Sequence, residues 1–202
     1  MKPLPLALFL LLIAGCSVYQ DGGTPPDSAS VQTVPGTPEL ALTEDDLQQL
    51  GMAPDFHNQD LQQLGITSNE SNCHTEEQTA FDLSGVQYTV CSYAIDSLNG
   101  TQVIIELKSF TNLTEAEDAY QYDSSHLYSA EGLISEDEYG NRSRFRVSNE
   151  HDYGGQYNDP NVTYYHLWIA KGAYLIHITS KGSSDARDYI ANTGKLILLK
   201  FG

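Results

Sequence analysis

The chain of 202 residues carries 27 acidic and 10 basic side chains, and its net charge of −17 excludes nucleic acid and anionic surfaces as partners held by bulk electrostatics. After the first fifteen residues no segment is long and apolar enough to span a membrane, which requires about 20 apolar residues. The acidity favours a soluble exterior for whatever follows the N-terminus.

The first fifteen residues have the pattern of a secretory signal peptide. Lys2 precedes an apolar run from Leu4 to Ile13, which is shorter than the roughly 20 residues of a spanning helix. The segment Ile13-Ala-Gly-Cys16 resembles the lipobox of prokaryotic lipoproteins. This resemblance implies cleavage before Cys16, lipidation of its sulfur, and a protein anchored by lipid in the cell membrane and facing outside the cytoplasm. The alternative is an ordinary signal peptide with an incidental cysteine.

Residues 16–42 are predicted to form a lipidated flexible tether, because Pro, Gly, Ser and Thr dominate and no apolar period is present. Residues 43–72 contain a duplication. Asp46-Leu-Gln-Gln-Leu-Gly-Met52 recurs fourteen residues later as Asp60-Leu-Gln-Gln-Leu-Gly-Ile66, with six of seven positions identical. Each copy predicts a short helix that ends at its glycine, the first with a capping box of Thr43 and Asp46. The leucines either pack on the chain's own core or dock on a partner.

Two cysteines remain once Cys16 is lipidated. In the oxidising space outside the cytoplasm, Cys73 and Cys91 are predicted to form a disulfide that closes a loop of about 18 residues. The alternative is a pair of buried thiols.

Residues 73–202 predict a single α+β domain with the order ββα–βββα, in which helices cover one face of an antiparallel sheet. The predicted strands are 86–94, 101–110, 139–148, 162–170 and 173–180, and the predicted helices are 114–130, capped by Thr114 with Glu117, and 183–200. A strand that starts at Tyr139-Gly140, a hairpin that turns at Lys171-Gly172 and a terminal helix resemble small secreted α+β lipoprotein domains with a PsbP- or Mog1-like arrangement. Many of these have no known activity, and the resemblance implies no functional residue.

The last hairpin supplies the candidate ligand face. A two-residue turn at Lys171-Gly172 would pair His166 with His177 and place them beside Tyr164 and Trp168. Such a face suits ligand contact better than a metal site, because two histidines supply only half of a tetrahedral set. The alternatives are a pH switch and a covered, hydrogen-bonded sheet face without a ligand.

Three of the four arginines, Arg142, Arg144 and Arg146, recur at period two and therefore line one face of a strand. They are predicted to lie exposed, either paired with carboxylates of neighbouring strands or contacting an anion. The loop 149–160 combines Gly, Tyr, His and carboxylates, a composition that suits sugars or Ca²⁺ as well as a solvated connection.

The chain lacks catalytic signatures such as Gly-x-Ser-x-Gly, His-Glu-x-x-His and a phosphate loop, so no catalytic residue, metal site or cofactor is predicted and an enzyme is disfavoured. The predicted function is a binding or interaction module for an unknown extracellular ligand or membrane-protein partner. The alternatives are a cell-envelope hydrolase and a structural or sensory accessory subunit of a membrane complex. Five sequons predict candidate glycosylation at Asn69, Asn99, Asn112, Asn141 and Asn161.

Overall fold

A computed structural model describes residues 35–56, 71–78, 85–125, 132–148 and 161–202. The predicted signal peptide, Cys16, the second repeat copy, Asn69 and the loop 149–160 lie outside these ranges. Within them, eight strands form one antiparallel sheet accompanied by helices, so the α+β prediction is confirmed. No helix in the described ranges has both the length and the apolarity required to cross a membrane.

The sheet has the strand order β1-β3-β4-β8-β7-β6-β5, and β2 also pairs with β3. Because β1 and β2 pair with different stretches of β3, they lie end to end along the same edge of that strand. The strands are β1 (Met52–Pro54), β2 (Cys73–Gln78), β3 (Val86–Ile95), β4 (Gln102–Ser109), β5 (Leu133–Glu136), β6 (Arg142–Ser148), β7 (Thr163–Lys171) and β8 (Tyr174–Gly182). The helices are α1 (Thr37–Leu40), α2 (Glu44–Leu50), α3 (Leu113–Ser125) and α4 (Arg187–Leu199), the last preceded by a 3-10 turn (Ser184–Ala186).

One side of the sheet, called here the apolar face, carries the main core. Leu167 and Ile169 of β7 point to this side and are fully buried. Helix α4 covers them with Ile190 and Ile197, as its predicted apolar stripe requires. Gly194 permits a close approach, because a Cβ at this position would lie 2.8 Å from a methyl carbon of Leu167.

The opposite side, called here the polar face, carries Trp168, His177 and Glu106 and is covered by α3. Ala116 and Tyr120 of α3 are buried in one cluster with Trp168. The prediction that the helices cover one face is therefore wrong. The reason is visible in β7, where every residue from 164 to 170 is buried, so the strand needs cover on both sides.

The folded domain begins before the predicted end of the tether. Leu40 is fully buried, and Thr37 is buried with its hydroxyl 2.8 Å from that of Thr89. The predicted tether boundary at residue 42 is therefore too late, because a single turn of helix carries apolar residues into the core. Helix α2 has the predicted capping box and ends at Gly51, whose φ is +64°. Its two leucines are buried in the chain's own core.

Helix α3 begins one residue earlier than predicted and uses a different cap. The Asn112 Oδ1 accepts a hydrogen bond from the Glu115 N–H at 3.0 Å, and the Asn112 amide donates to the Glu115 carboxylate at 2.9 Å. The predicted pair of Thr114 and Glu117 is wrong because the helix starts earlier, and Asn112 caps it at the N–H of Glu115 instead.

The predicted disulfide is present. Cys73 of β2 and Cys91 of β3 are direct cross-strand partners, and their sulfurs are bonded at 2.08 Å. Cys91 is fully buried within the core of the apolar face. The bond therefore fixes the edge strand β2 to the centre of the fold.

Candidate functional site

The structure brings the four residues of the predicted ligand face into one stack of rings. Tyr164, His166 and Trp168 occupy alternate positions of β7 and so point to the same side of the sheet. The ring centroids of His166 and Trp168 are 5.3 Å apart with planes 10° from parallel. Trp168 stacks in turn on His177 of β8 at 4.7 Å and 7°.

The predicted register of the last hairpin is wrong by two residues. Lys171 pairs with Tyr174, so the turn is Gly172-Ala173 rather than Lys171-Gly172. Gly172 has a φ of +56° and occupies the first turn position, where a type II′ turn requires glycine. His166 consequently pairs with Thr179, while Trp168 pairs with His177. A shift of two residues preserves the face of every side chain, so the histidines still meet, with Nδ1 of His166 3.2 Å from Nε2 of His177.

A chain of hydrogen bonds crosses four strands of the polar face. The Tyr88 hydroxyl donates to the Glu106 carboxylate at 2.8 Å. The other oxygen of Glu106 lies 2.8 Å from Nδ1 of His177. On the far side of the ring, Nε2 of His177 is 3.0 Å from the Thr179 hydroxyl and 3.2 Å from His166. Because Glu106 holds Nδ1, the ring is oriented with Nε2 toward Thr179 and His166.

The electrostatics of this chain follow from burial and pairing. Burial opposes ionisation of Glu106, but the hydrogen bond and positive charge of His177, with the charge of Lys108 behind them, hold its pKa at about 2. Burial raises the pKa of the Tyr88 hydroxyl, and the neighbouring Glu106 charge raises it further. Glu106 is therefore an anion and Tyr88 a neutral donor at any physiological pH.

Most of the predicted ligand face is covered. His166 and Trp168 are 1% and 2% exposed, and Tyr164 is also buried. The expectation of an open contact surface is wrong for these three residues, and α3 packs on Trp168. His177 is the partly accessible member of the four, with its side chain 16% exposed, and its partner Glu106 is 28% exposed. The pair is therefore reachable from solvent and is backed by buried aromatic rings.

The three arginines Arg142, Arg144 and Arg146, called here the arginine row, lie on the polar face. Two of them form ion pairs. Arg142 is paired with Glu117 of α3, and its guanidinium lies 5.0 Å from the Tyr120 ring centroid. Arg144 is 14% exposed and bonds Glu136 of β5 at 3.0 Å. The predicted pairing with a neighbouring strand holds for Arg144, whereas Arg142 pairs with a helix. The expected exposure is wrong for Arg144, which packs against α3, whereas Arg142 is 40% exposed.

Arg146 lies at the other end of the row, as the cross-strand partner of His166. Burial lowers the pKa of its guanidinium, and the adjacent positive charge of Arg144 acts in the same direction. Arg146 is thus level with His166 across the sheet, and Arg144, opposite Trp168, is level with His177. An anion contact by the row remains a prediction.

Glu106, Thr179 and Tyr88 complete the site, and sequence reasoning assigned no role to Glu106 or Tyr88. Glu106 could have been singled out from the sequence, because it is the one carboxylate of β4 and follows three apolar residues. Its partner His177 is 71 residues away in the sequence, across the non-consecutive pairing of β4 with β8. Within the described ranges no three His, Cys, Asp or Glu side chains converge as a metal-binding set.

Four of the five predicted glycosylation sites lie in described ranges, and all four asparagines are exposed. Two of these asparagines already accept hydrogen bonds from the backbone. Asn112 caps α3, and the Asn141 Oδ1 accepts a hydrogen bond from the N–H of Gly172 at 2.7 Å. Glycosylation remains a prediction for all of them.

Comparison with known proteins identifies no family for this chain. No protein-family model matches the chain, and no curated protein matches its sequence. One solved structure with a similar trace is the crystal structure of the extracellular domain of PknH from Mycobacterium tuberculosis, at 9% identity and a TM-score of 0.41, covering 82% of this chain and 98% of that one. A likeness this low shows neither a family nor a function.

Proposed function

We propose that this protein is a lipid-anchored extracytoplasmic binding module, and that its ligand is a small polar molecule or polar group held at Glu106 and His177. The observation that carries the proposal is the ionised Glu106, hydrogen-bonded to the partly exposed His177, which stacks on the buried Trp168. Strongly shifted carboxylates in partly covered sites are typical of functional positions.

Stability alone does not explain why Glu106 and His177 are paired in this position. A buried or half-buried ion pair contributes little compared with well-packed apolar residues of the same volume, because desolvation offsets the attraction. On the opposite side of the same strands, apolar residues fill the neighbouring positions: Leu107 and Ile176 are fully or almost fully buried. A polar arrangement that the fold does not require, open at one point, is what a binding site needs.

The location rests on two features of the chain. The lipobox-like segment that ends at Cys16 supports a lipid anchor. The bonded pair of Cys73 and Cys91 supports an oxidising compartment, because structural disulfides are rare in the cytosol. Replacing Cys16→Ser should release the protein from the membrane fraction or block its processing. A variant that stays anchored after normal cleavage would contradict the anchor.

The binding proposal is tested on protein extracted from native membranes. Mass spectrometry of the bound material should find a compound or partner with the wild type that is lost with His177→Gln. The chain has one tryptophan, Trp168, and it stacks on His177, so its fluorescence should also change when that material is added back.

A matched control exists on the same face. His74 lies 3.5 Å from Glu76 and is 40% exposed, so it forms a second histidine–carboxylate pair outside the site. His74→Gln should retain the bound material and the fluorescence response. Equal loss in both variants, or no bound material with either, would contradict a ligand at His177.

A hydrolase is the second candidate, because Glu106, His177 and Thr179 form a carboxylate–imidazole–hydroxyl line with contacts of 2.8 and 3.0 Å. With its imidazole neutral, His177 could accept the hydroxyl proton while Glu106 orients the ring. Hydrolysis of p-nitrophenyl acetate separates the candidates. A binding module should give the same slow rate for the wild type and Thr179→Val, whereas loss of turnover in that variant would favour the hydrolase.

A further inference from the structure

Helix α2 occupies a well-defined seat on the domain, called here the α2 seat. Leu47 and Leu50 are buried in the core cluster that includes Ile197 of α4. Asp46 lies 2.9 Å from Nζ of Lys200, just beyond the C-terminal end of α4. After the helix ends at Gly51, β1 pairs with the edge of β3. The seat therefore recognises two leucines, one aspartate and a short strand.

The second copy of the duplication carries the same recognition features. Asp60 and Gly65 stand where Asp46 and Gly51 stand, fourteen residues later. The match extends to the four apolar core residues between positions 42 and 52. The corresponding apolar pairs are Leu42 with Phe56, Leu47 with Leu61, Leu50 with Leu64, and Met52 with Ile66.

Phe56 supports this extended alignment. Its side chain is 44% exposed, one of the few large apolar residues in the described ranges that is not buried. Its counterpart Leu42 is 9% exposed and belongs to the core. In a chain shifted by fourteen residues, Phe56 would take the place of Leu42 and become buried. An apolar residue before a helix cap that packs on the helix is a recognised stabilising feature.

The path of the chain also permits the shift. The N–H of Asp55 donates to the carbonyl of Ser92 at 3.0 Å, and the N–H of Ser92 donates to the carbonyl of Asn72 at 2.9 Å. The end of β1 and the start of β2 therefore meet at Ser92, although Asp55 and Asn72 are seventeen positions apart in the sequence. After the shift, Asn69 would take the place of Asp55. Residues 70 and 71 alone would then separate the two positions opposite Ser92, as a bulge between strands that run in the same direction along β3.

We propose that the α2 seat accepts either copy, and that the second copy can displace the first. The first copy is the major occupant, because it has a hydroxyl cap at Thr43, where the second copy has His57, and because it brings Leu40 into the core. When the second copy replaces the first in the α2 seat, fourteen more residues on the N-terminal side are released from the domain. If the chain is anchored through Cys16, which rests on the proposed function, exchange lengthens the connection between membrane and domain.

A mutant cycle on the full chain carrying Cys16→Ser tests the exchange without any dependence on anchoring. One variant, Leu47→Asp with Leu50→Asp, destroys the first copy, and the matched variant, Leu61→Asp with Leu64→Asp, destroys the second. The first should fold with a lowered Tm, because the second copy takes the seat, and the second should melt like the parent. Combining all four should lower the Tm by a further 5 °C or so, a non-additive loss.

Equal Tm values for the first-copy variant and the fourfold variant would overturn the proposal, as would failure of the first-copy variant to fold. A crosslink gives an independent readout. In the first-copy variant, Asp60→Cys with Lys200→Cys should form a new disulfide, because that aspartate would replace the partner of Lys200. Asp46→Cys with Lys200→Cys in the parent is the matched control and should crosslink. A crosslink in the control alone would overturn the proposal.

Discussion

The apolar face and the polar face are built by the same strands, and each is covered by a helix. Ile178 and Thr179 are neighbours in β8, yet one is buried among aliphatic side chains and the other contacts two histidines. The apolar face follows the usual rules of a core, in which burial stabilises the fold. The polar face departs from them around Glu106, and such departures in natural proteins are expected at functional sites. The comparison therefore separates the part of the molecule that stabilises the fold from the part that we assign to binding.

The largest effect is expected on the apolar face. Ile178→Ala should lower the free energy of unfolding by about 2–5 kcal/mol, because it leaves a cavity beneath α4. Thr179→Val, the matched change one residue later, should cost less than about 1.5 kcal/mol, since it removes one hydroxyl of a polar network. Urea unfolding measures both, and equal losses would contradict the division between the faces.

The disulfide should rank next, because it fixes β2 to the buried side of β3. Cys73→Ser with Cys91→Ser should lower the free energy of unfolding by about 3 kcal/mol for a loop with a sequence separation of 18. The emission of Trp168 in the folded variant should be unchanged, because the bond lies on the other face. Addition of reductant should destabilise the wild type and leave the variant unaffected; a shifted Trp168 spectrum would show that the faces are coupled.

The arginine row should divide into a structural part and a weaker part. Arg144→Gln should cost about 1.5–3 kcal/mol, because this 14% exposed side chain bonds Glu136 and the carbonyl of Ser124 in α3. Arg142→Gln should cost less than about 1 kcal/mol, because its ion pair is 40% exposed and screened by solvent. Thermal unfolding of the two variants checks the order, and the reverse order would contradict it.

The smallest effect concerns pH. The pKa of Glu106 is about 2 in the folded protein, below its ordinary value of 4.5, so its stabilisation is fully present above about pH 4.5 and is lost as the pH falls toward 2. The stability difference between the wild type and Glu106→Gln should narrow through that window by at most about 1.4 kcal/mol per pH unit. Urea unfolding at pH 6, 4 and 3 measures it. A constant difference would mean that Glu106 is not held as an anion.

Much of the fold follows from local patterns in the sequence. Alternation predicts β3, β4 and the last hairpin, and the apolar stripe of α4 is predicted down to Ile190 and Ile197. Strands β1, β2 and β5 are missed because they are short or, like β2, polar edge strands without apolar alternation. The cover of the second face by α3 is missed for another reason: an apolar run such as that of β7 does not tell how many of its sides are packed.

The site divides in the same way between local and distant contacts. The two-residue period of a strand predicts a shared face for Tyr164, His166, Trp168 and His177. The error of two residues in the predicted register does not change that face. The burial of Trp168 depends on α3, and the role of Glu106 depends on the pairing of β4 with β8, which brings together residues far apart in the chain. No local pattern in the sequence encodes either contact.

The central claim is that the polar network at His177 serves binding rather than stability. The most direct measurement replaces the network with apolar residues of similar size, using Glu106→Met, His177→Leu and Tyr88→Phe together so that no buried partner is left alone. The free energy of unfolding should stay within about 1 kcal/mol of the wild type or rise, while the material that co-purifies with the native protein should be lost. A loss of stability above about 3 kcal/mol with that material still bound would contradict the claim.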